Sequence, residues 1–165
     1  MRSDSSRLIR SSRVPPPLWT FIFAAAMWVL SRHCPVLALI PATWRGCGRF
    51  VLMAAAVTPS AAFYQFHRAH TTFNPFRPEA ATALVTSGVF AWTRNPMYLG
   101  LFLLLLGWAV ELGTLSAFAG PLLFVPLIQY VQIRPEERAL RLQFGSDYER
   151  YCRRVHRWWG RNRSC

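Results

Sequence analysis

Met97-Tyr98-Leu99-Gly100-Leu101-Phe102-Leu103-Leu104-Leu105-Leu106-Gly107-Trp108-Ala109-Val110 contains no charged residue, and Leu115 to Val131 repeats that character after a break of four residues. Helices so apolar all round have no face for water, and stretches of this kind are the mark of a bilayer. Hydropathy marks two more such stretches upstream, Leu18–Leu30, extendable through Pro35 to Pro41, and about Phe50 to Phe66. Several are shorter than the roughly 20 residues that cross a hydrocarbon core unaided. The expectation is an all-α, polytopic membrane bundle of about four to five transmembrane helices, four being the best count.

Composition agrees: 53% of the 165 residues are hydrophobic, 15% aromatic and only 16% charged. The 19 basic residues are all arginine and outweigh seven carboxylates, giving a formal net charge of +12. Such a balance raises the question of nucleic acid, but proteins that bind phosphate backbones do so from a soluble basic face, whereas these arginines flank apolar runs. With the amino terminus inside, sixteen arginines fall on the inner side and only Arg32, Arg45 and Arg49 outside. The positive-inside rule then places both termini in the cytoplasm. A cleaved leader is a rival reading of the N-terminus, but no small-x-small site follows Leu30, so the first span reads as an anchor.

The chain divides into residues 1–66, two anchor spans joined by a Pro- and Gly-punctuated turn from Cys34 to Gly48, and residues 67–165, which carry the chemistry. Cys34, Cys47, Cys152 and Cys165 show no C-x-x-C spacing, so neither zinc nor a redox motif is expected. His67 and His70 share a helix face, but lack a third ligand; no metal is expected.

Between His67 and Pro96 helical periodicity breaks, and the loop ends in Leu84-Val85-Thr86-Ser87-Gly88-Val89-Phe90-Ala91-Trp92-Thr93-Arg94-Asn95-Pro96-Met97-Tyr98-Leu99-Gly100. Pro96 suits the first turn of a helix, whose start offers backbone donors to an anion. Taken singly, Arg94, Trp92 and Tyr98 also fit an interfacial cap of snorkelling arginine and belt aromatics. After the fourth span, Gln132-Ile133-Arg134-Pro135-Glu136-Glu137-Arg138 leads to Phe144, Gly145 and Tyr148. Adjacent helical carboxylates point about 100° apart, so Glu136 and Glu137 take different roles; both also suit a helix N-terminus on dipole grounds alone. Beyond Tyr148, Tyr151, Val155, Trp158 and Trp159 interleave with arginines at helical spacing, which predicts an amphipathic helix on an anionic leaflet.

The ordered series Leu-Val-Thr-x-Gly, Arg-x-Pro-x-Tyr-x-Gly, Glu-Glu and Phe-Gly-x-x-Tyr, spanning roughly Thr71 to Trp159, resembles the isoprenylcysteine carboxyl methyltransferases and their phospholipid methyltransferase relatives. The resemblance implies a membrane-embedded, S-adenosylmethionine-dependent methyltransferase whose cytoplasmic C-terminal region holds the cofactor while a lipophilic or small acceptor enters from the bilayer. Matched by position, cofactor contacts are expected from Thr82, Ala83, Leu84 and Val85, from Phe90, from Arg94, Asn95, Pro96, Met97 and Tyr98, and from Glu136. Glu137 is the expected base and Arg134 a second catalytic residue, near enough to Gln132 to stand in for an acceptor-binding arginine, with Gln132 itself on the acceptor side. Two positions depart from the prenylcysteine enzymes: Asn95 stands where they carry His, and Gln132 where they carry an acceptor-binding Arg. A non-catalytic membrane scaffold and a membrane oxidoreductase of a related fold are the competing classes.

Overall fold

The computed structural model describes residues 14–68 and 83–161. His70 and Thr82, both singled out above, lie outside the described residues. The described chain is helical, with two isolated β-bridges and no strand. In order come α1 (Pro16–His33), the short α2 (Ala42–Arg45), α3 (Cys47–Arg68), a 3-10 turn (Gly88–Ala91), α4 (Pro96–Leu112), a second 3-10 turn (Leu115–Phe118), α5 (Ala119–Ile128), a π-turn (Gln129–Ile133) and α6 (Arg134–Arg154). Two stretches are long and apolar enough to cross a membrane, Ala42–Arg68 and Leu115–Arg154, and Pro96–Leu112 is a shorter apolar helix. The apolar part of the second stretch ends near the π-turn, because α6 carries the dense run of charges from Arg134 to Arg154.

The described residues fall into two compact units. One comprises Val14–Thr58 and Met97–Ile128. Here α1 buries Pro16, Thr20 and Met27, positions four and seven apart that form one stripe, and packs against α5, where Phe23 meets Phe124 edge to face at 5.7 Å. Trp108 of α4 donates its indole N–H to the carbonyl of Ala24 at 3.2 Å. Outside that stripe α1 turns Leu18, Phe21, Ile22, Trp28, Val29 and Leu30 outward, and α5 does the same with Leu122 and Leu123. A contiguous apolar surface of this kind is costly in water and matches lipid. Glu111 at the end of α4 is half-buried, with the exposed Arg49 3.7 Å away. Cys34 and Cys47 are exposed free thiols.

The other unit comprises residues 59–68, 83–96 and 129–161. The π-turn follows Pro126, which removes one backbone donor from α5. Its extra residue buries Gln132 and Ile133 side by side, and the next helical turn then buries Glu136 and Glu137 together. Further on, Gly145 sits at φ 50°, ψ −122° and bends α6. Only glycine adopts that conformation without strain, and nothing lies within 4 Å of where a Cβ would stand, so the backbone alone demands it. Beyond the bend Tyr148 and Tyr151 point into the unit's core, 2% and 3% exposed.

The helix ends at Arg154, which corrects the expected amphipathic helix through the C-terminus. Val155 turns extended, and residues 155–161 double back, closed by a bridge between Val155 and Arg161 and by the His156 N–H on the Gly160 carbonyl at 2.9 Å. The fold-back satisfies backbone groups that a stripe of apolar spacings cannot register.

Candidate active site

The loop before α4 is short of helix because its donors and acceptors have other partners. Gly88, the glycine of Leu-Val-Thr-x-Gly, opens the 3-10 turn at φ 61°, and a Cβ there would collide with the Gln65 side chain of α3. The turn buries Phe90, whose ring lies 5.1 Å from that of Phe66. Its carbonyl accepts the Tyr151 phenol O–H at 2.7 Å. The turn of α6 just beyond Phe-Gly-x-x-Tyr thus reaches the Leu-Val-Thr-x-Gly turn through one buried hydrogen bond.

Thr93, Arg94 and Asn95 are held by the fold-back. The Arg94 N–H donates to the His156 carbonyl at 3.2 Å, and the Gly160 N–H to the Trp92 carbonyl at 2.8 Å. The Arg157 carbonyl accepts both the Asn95 Nδ2 at 3.1 Å and the Thr93 hydroxyl at 3.4 Å, while Thr93 Oγ1 accepts the Asn95 backbone N–H at 3.1 Å. A carbonyl only accepts, so the Asn95 amide nitrogen faces Arg157 and its Oδ1 is turned the other way. Trp92 and Trp159 lie 6.4 Å apart at their ring centres.

Charge is concentrated on Glu137, whose side chain is 7% exposed. Arg157 forks onto it, Nε on Oε1 at 2.9 Å and Nη2 on Oε2 at 2.6 Å, and Arg94 Nη1 lies 3.2 Å from Oε1. Two guanidiniums on one carboxylate make a charge-assisted cluster in a site largely closed to solvent. The hydrogen bonds to Glu137 push the Arg157 guanidinium above its ordinary pKa, against the opposing effect of burial. Burial pushes the Tyr148 phenol up, with the Glu137 carboxylate adding to it, and burial pushes Tyr151 up as well. Arg94 Nη1 also donates to the Cys152 thiol, which is half-buried.

One donor in this cluster is left over. Arg94 Nε is buried and has no hydrogen-bond partner among the described residues. An unsatisfied buried donor costs about 1–3 kcal/mol, more on a charged group. A carboxylate or phosphate oxygen is the kind of acceptor it would take.

Of the residues expected at the site, Phe90, Arg94, Asn95, Pro96, Gln132, Glu136 and Glu137 belong to this one unit, together with Ala83, Leu84 and Val85 of the segment leading to the turn. Met97 and Tyr98 belong to the other unit, in the first turn of α4, Tyr98 buried and Met97 half-buried. Arg134 is set apart: it is exposed, its guanidinium 5.3 Å from the Tyr130 ring centre, rather than beside the buried carboxylates. Arg157, Cys152, Tyr151 and Thr93 were not among the residues expected at the site. Arg157 is one of nine arginines from Arg134 onward, and only the turn at Val155 distinguishes it.

Compared with known proteins, residues 42–147 match the family model described as phospholipid methyltransferase. That span is more than half of the chain. The chain belongs to the phospholipid methyltransferase family. Membership implies a membrane methyltransferase, in keeping with the outward apolar surfaces and the membrane-length helices. An uncharacterized protein of Haemophilus influenzae is 44% identical over 62 residues, covering 38% of this chain and 98% of that protein. The matched family region includes the loop box, Glu136 and Glu137, and stops short of the fold-back.

Proposed function

We propose that this member of the family is an S-adenosylmethionine-dependent methyltransferase, with the cofactor held by Ala83 to Val85, Phe90, Arg94 to Pro96 and Glu136. The observation that carries the reading is the unpartnered, buried Nε of Arg94. The donor set fits the cofactor. Arg94 Nε suits a carboxylate, the Phe90 face suits a sulfonium, and a buried Glu136 suits an ammonium or ribose hydroxyls. Bound there, S-adenosylmethionine would supply an electrophilic methyl group, whose transfer is an in-line displacement that rewards alignment and dryness above acid-base machinery.

The chain's own residues do the aligning. Glu137 and the Cys152 contact fix the Arg94 guanidinium, leaving Nε as the free donor. Arg157 fixes Asn95 and turns Oδ1 outward as an acceptor. Gripped by two guanidiniums, Glu137 is an anchor for Arg94. The acceptor is a lipophilic or small molecule, an isoprenylcysteine-like carboxylate, a phospholipid amine or a thiol, reaching the site from the bilayer. The architecture is a bundle of four spans with both termini and the site on the cytoplasmic side, by the arginine asymmetry.

Calorimetry of purified protein in detergent tests the cofactor. Saturable S-adenosylmethionine binding is expected, weakened by Arg94→Ala and Glu136→Gln. Absence of binding in the wild type, or equal affinity in wild type and Arg94→Ala, would overturn the assignment. Incubation with native lipid extract and methyl-labelled cofactor then identifies the acceptor by the labelled product.

A further inference from the structure

The fold-back at residues 155–161 lies beyond the region matched to the family, yet it is tied repeatedly to the loop box. Five ties are on the page: the Arg94 N–H to His156, the Gly160 N–H to Trp92, the Thr93 hydroxyl and the Asn95 amide to Arg157, and the Trp92–Trp159 ring contact. A sixth runs from the Trp158 indole N–H to Gln129 Oε1 at 3.2 Å, reaching the π-turn. Arg157 joins the box twice, by its carbonyl to Asn95 and by its guanidinium through Glu137 to Arg94.

We infer that this fold-back is a positioning strap for the cofactor site, with Arg157 setting Glu137, and through it Arg94, while the Arg157 carbonyl sets Asn95. The inference rests on the cofactor reading above. The physical reason is the direction of each hydrogen bond. Arg94 can present Nε to a ligand only while Nη1 is held on Glu137, and Glu137 holds a fixed rotamer because Arg157 grips both its oxygens in a bidentate fork. Cutting the strap frees Glu137 to pair with Arg94 in other geometries and lets Asn95 rotate. Residues 155–161 neither touch the reacting atoms nor supply a proton; they keep the donor and acceptor of the box aimed.

The test uses the full-length protein in detergent with Cys34, Cys47 and Cys165 replaced by Ser, so that Cys152, which touches Arg94, is the single remaining thiol. Arg157→Ala is expected to speed maleimide labelling of Cys152 by roughly tenfold and to weaken S-adenosylmethionine affinity by a similar factor. Arg157→Lys restores the charge without the fork and should fall between the two, and it carries the test if the alanine variant fails to fold. Because Arg157 acts on Arg94 through Glu137, adding Arg157→Ala to Glu137→Gln should change affinity less than twofold. Unchanged Cys152 labelling in Arg157→Ala and Arg157→Lys would overturn the strap. Faster labelling with unchanged cofactor affinity would overturn its positioning role. A wild type that binds no S-adenosylmethionine overturns the cofactor reading instead, and the labelling rates still decide whether the strap holds the box.

Discussion

Replacing Glu137 by Gln removes the one carboxylate shared by Arg94 and Arg157 while keeping the side chain's shape. At an effective dielectric of about 20, a unit pair at the 3.2 Å separation of Arg94 and Glu137 attracts by about 5 kcal/mol. The desolvation of both groups offsets much of that, and the measured loss on removing one partner of a buried pair is about 3–5 kcal/mol, because the other charge is left uncompensated. Arg94 is the charge at risk, its side chain 10% exposed, whereas Arg157 at 30% can turn toward water and Gln can still accept one of its N–H groups. We therefore expect a loss near the lower end, about 3 kcal/mol. For a chain of this size that is a fall in Tm of roughly 6–12 °C. Thermal unfolding in detergent, followed by fluorescence of the seven tryptophans, reads it. A loss under about 1 kcal/mol, accompanied by slow turnover at unchanged cofactor affinity, would show that Glu137 serves as the proton acceptor suggested by its place in the Glu-Glu pair.

Tyr151→Phe should cost about 1–2 kcal/mol in the same melt by leaving the buried Phe90 carbonyl without its donor, and an unchanged Tm would mean that water replaces the phenol. Gly145→Ala should cost about 1–3 kcal/mol through backbone strain alone, since a Cβ meets nothing there; a neutral outcome would mean that α6 straightens, which circular dichroism at constant stability would reveal. Tyr148 and Tyr151 keep their protons in the folded protein after the unfolded chain has lost them, so stability is complete below about pH 10 and falls above it, by up to about 2.7 kcal/mol per pH unit for the two phenols together. Stability that stays flat between pH 10 and 11 would place both phenols in contact with water.

Much of the helical framework is legible in the sequence because apolar runs report directly on burial in lipid or protein: Phe50 to Phe66 sits inside α3, and Met97 to Val110 inside α4. The loop box is legible for a different reason. Its Gly88, like Gly145 of Phe-Gly-x-x-Tyr, is required by a positive φ, so both motifs are written in residues that have few substitutes. What could not be read is pairing. Val155, Trp158 and Trp159 continue a helical spacing, and periodicity is blind to the extended residue that turns the chain back. Glu137 and Arg134 are close in sequence, but the π-turn and the Tyr130 ring leave Arg134 exposed, and the partner of Glu137 comes from twenty residues further on. Charge complementarity identifies neither choice without the fold.

The π-turn at Gln129–Ile133 has a consequence for how such a chain can change. An α-helix advances by about 100° per residue, so the surplus residue of the π-turn sets which residues of the charged turns after it face the core of their unit. A one-residue deletion between Gln129 and Ile133 would leave every side chain of α6 intact and still turn the face that buries Glu136 and Glu137 by about 100°. The site is indexed by residue count as well as by residue type.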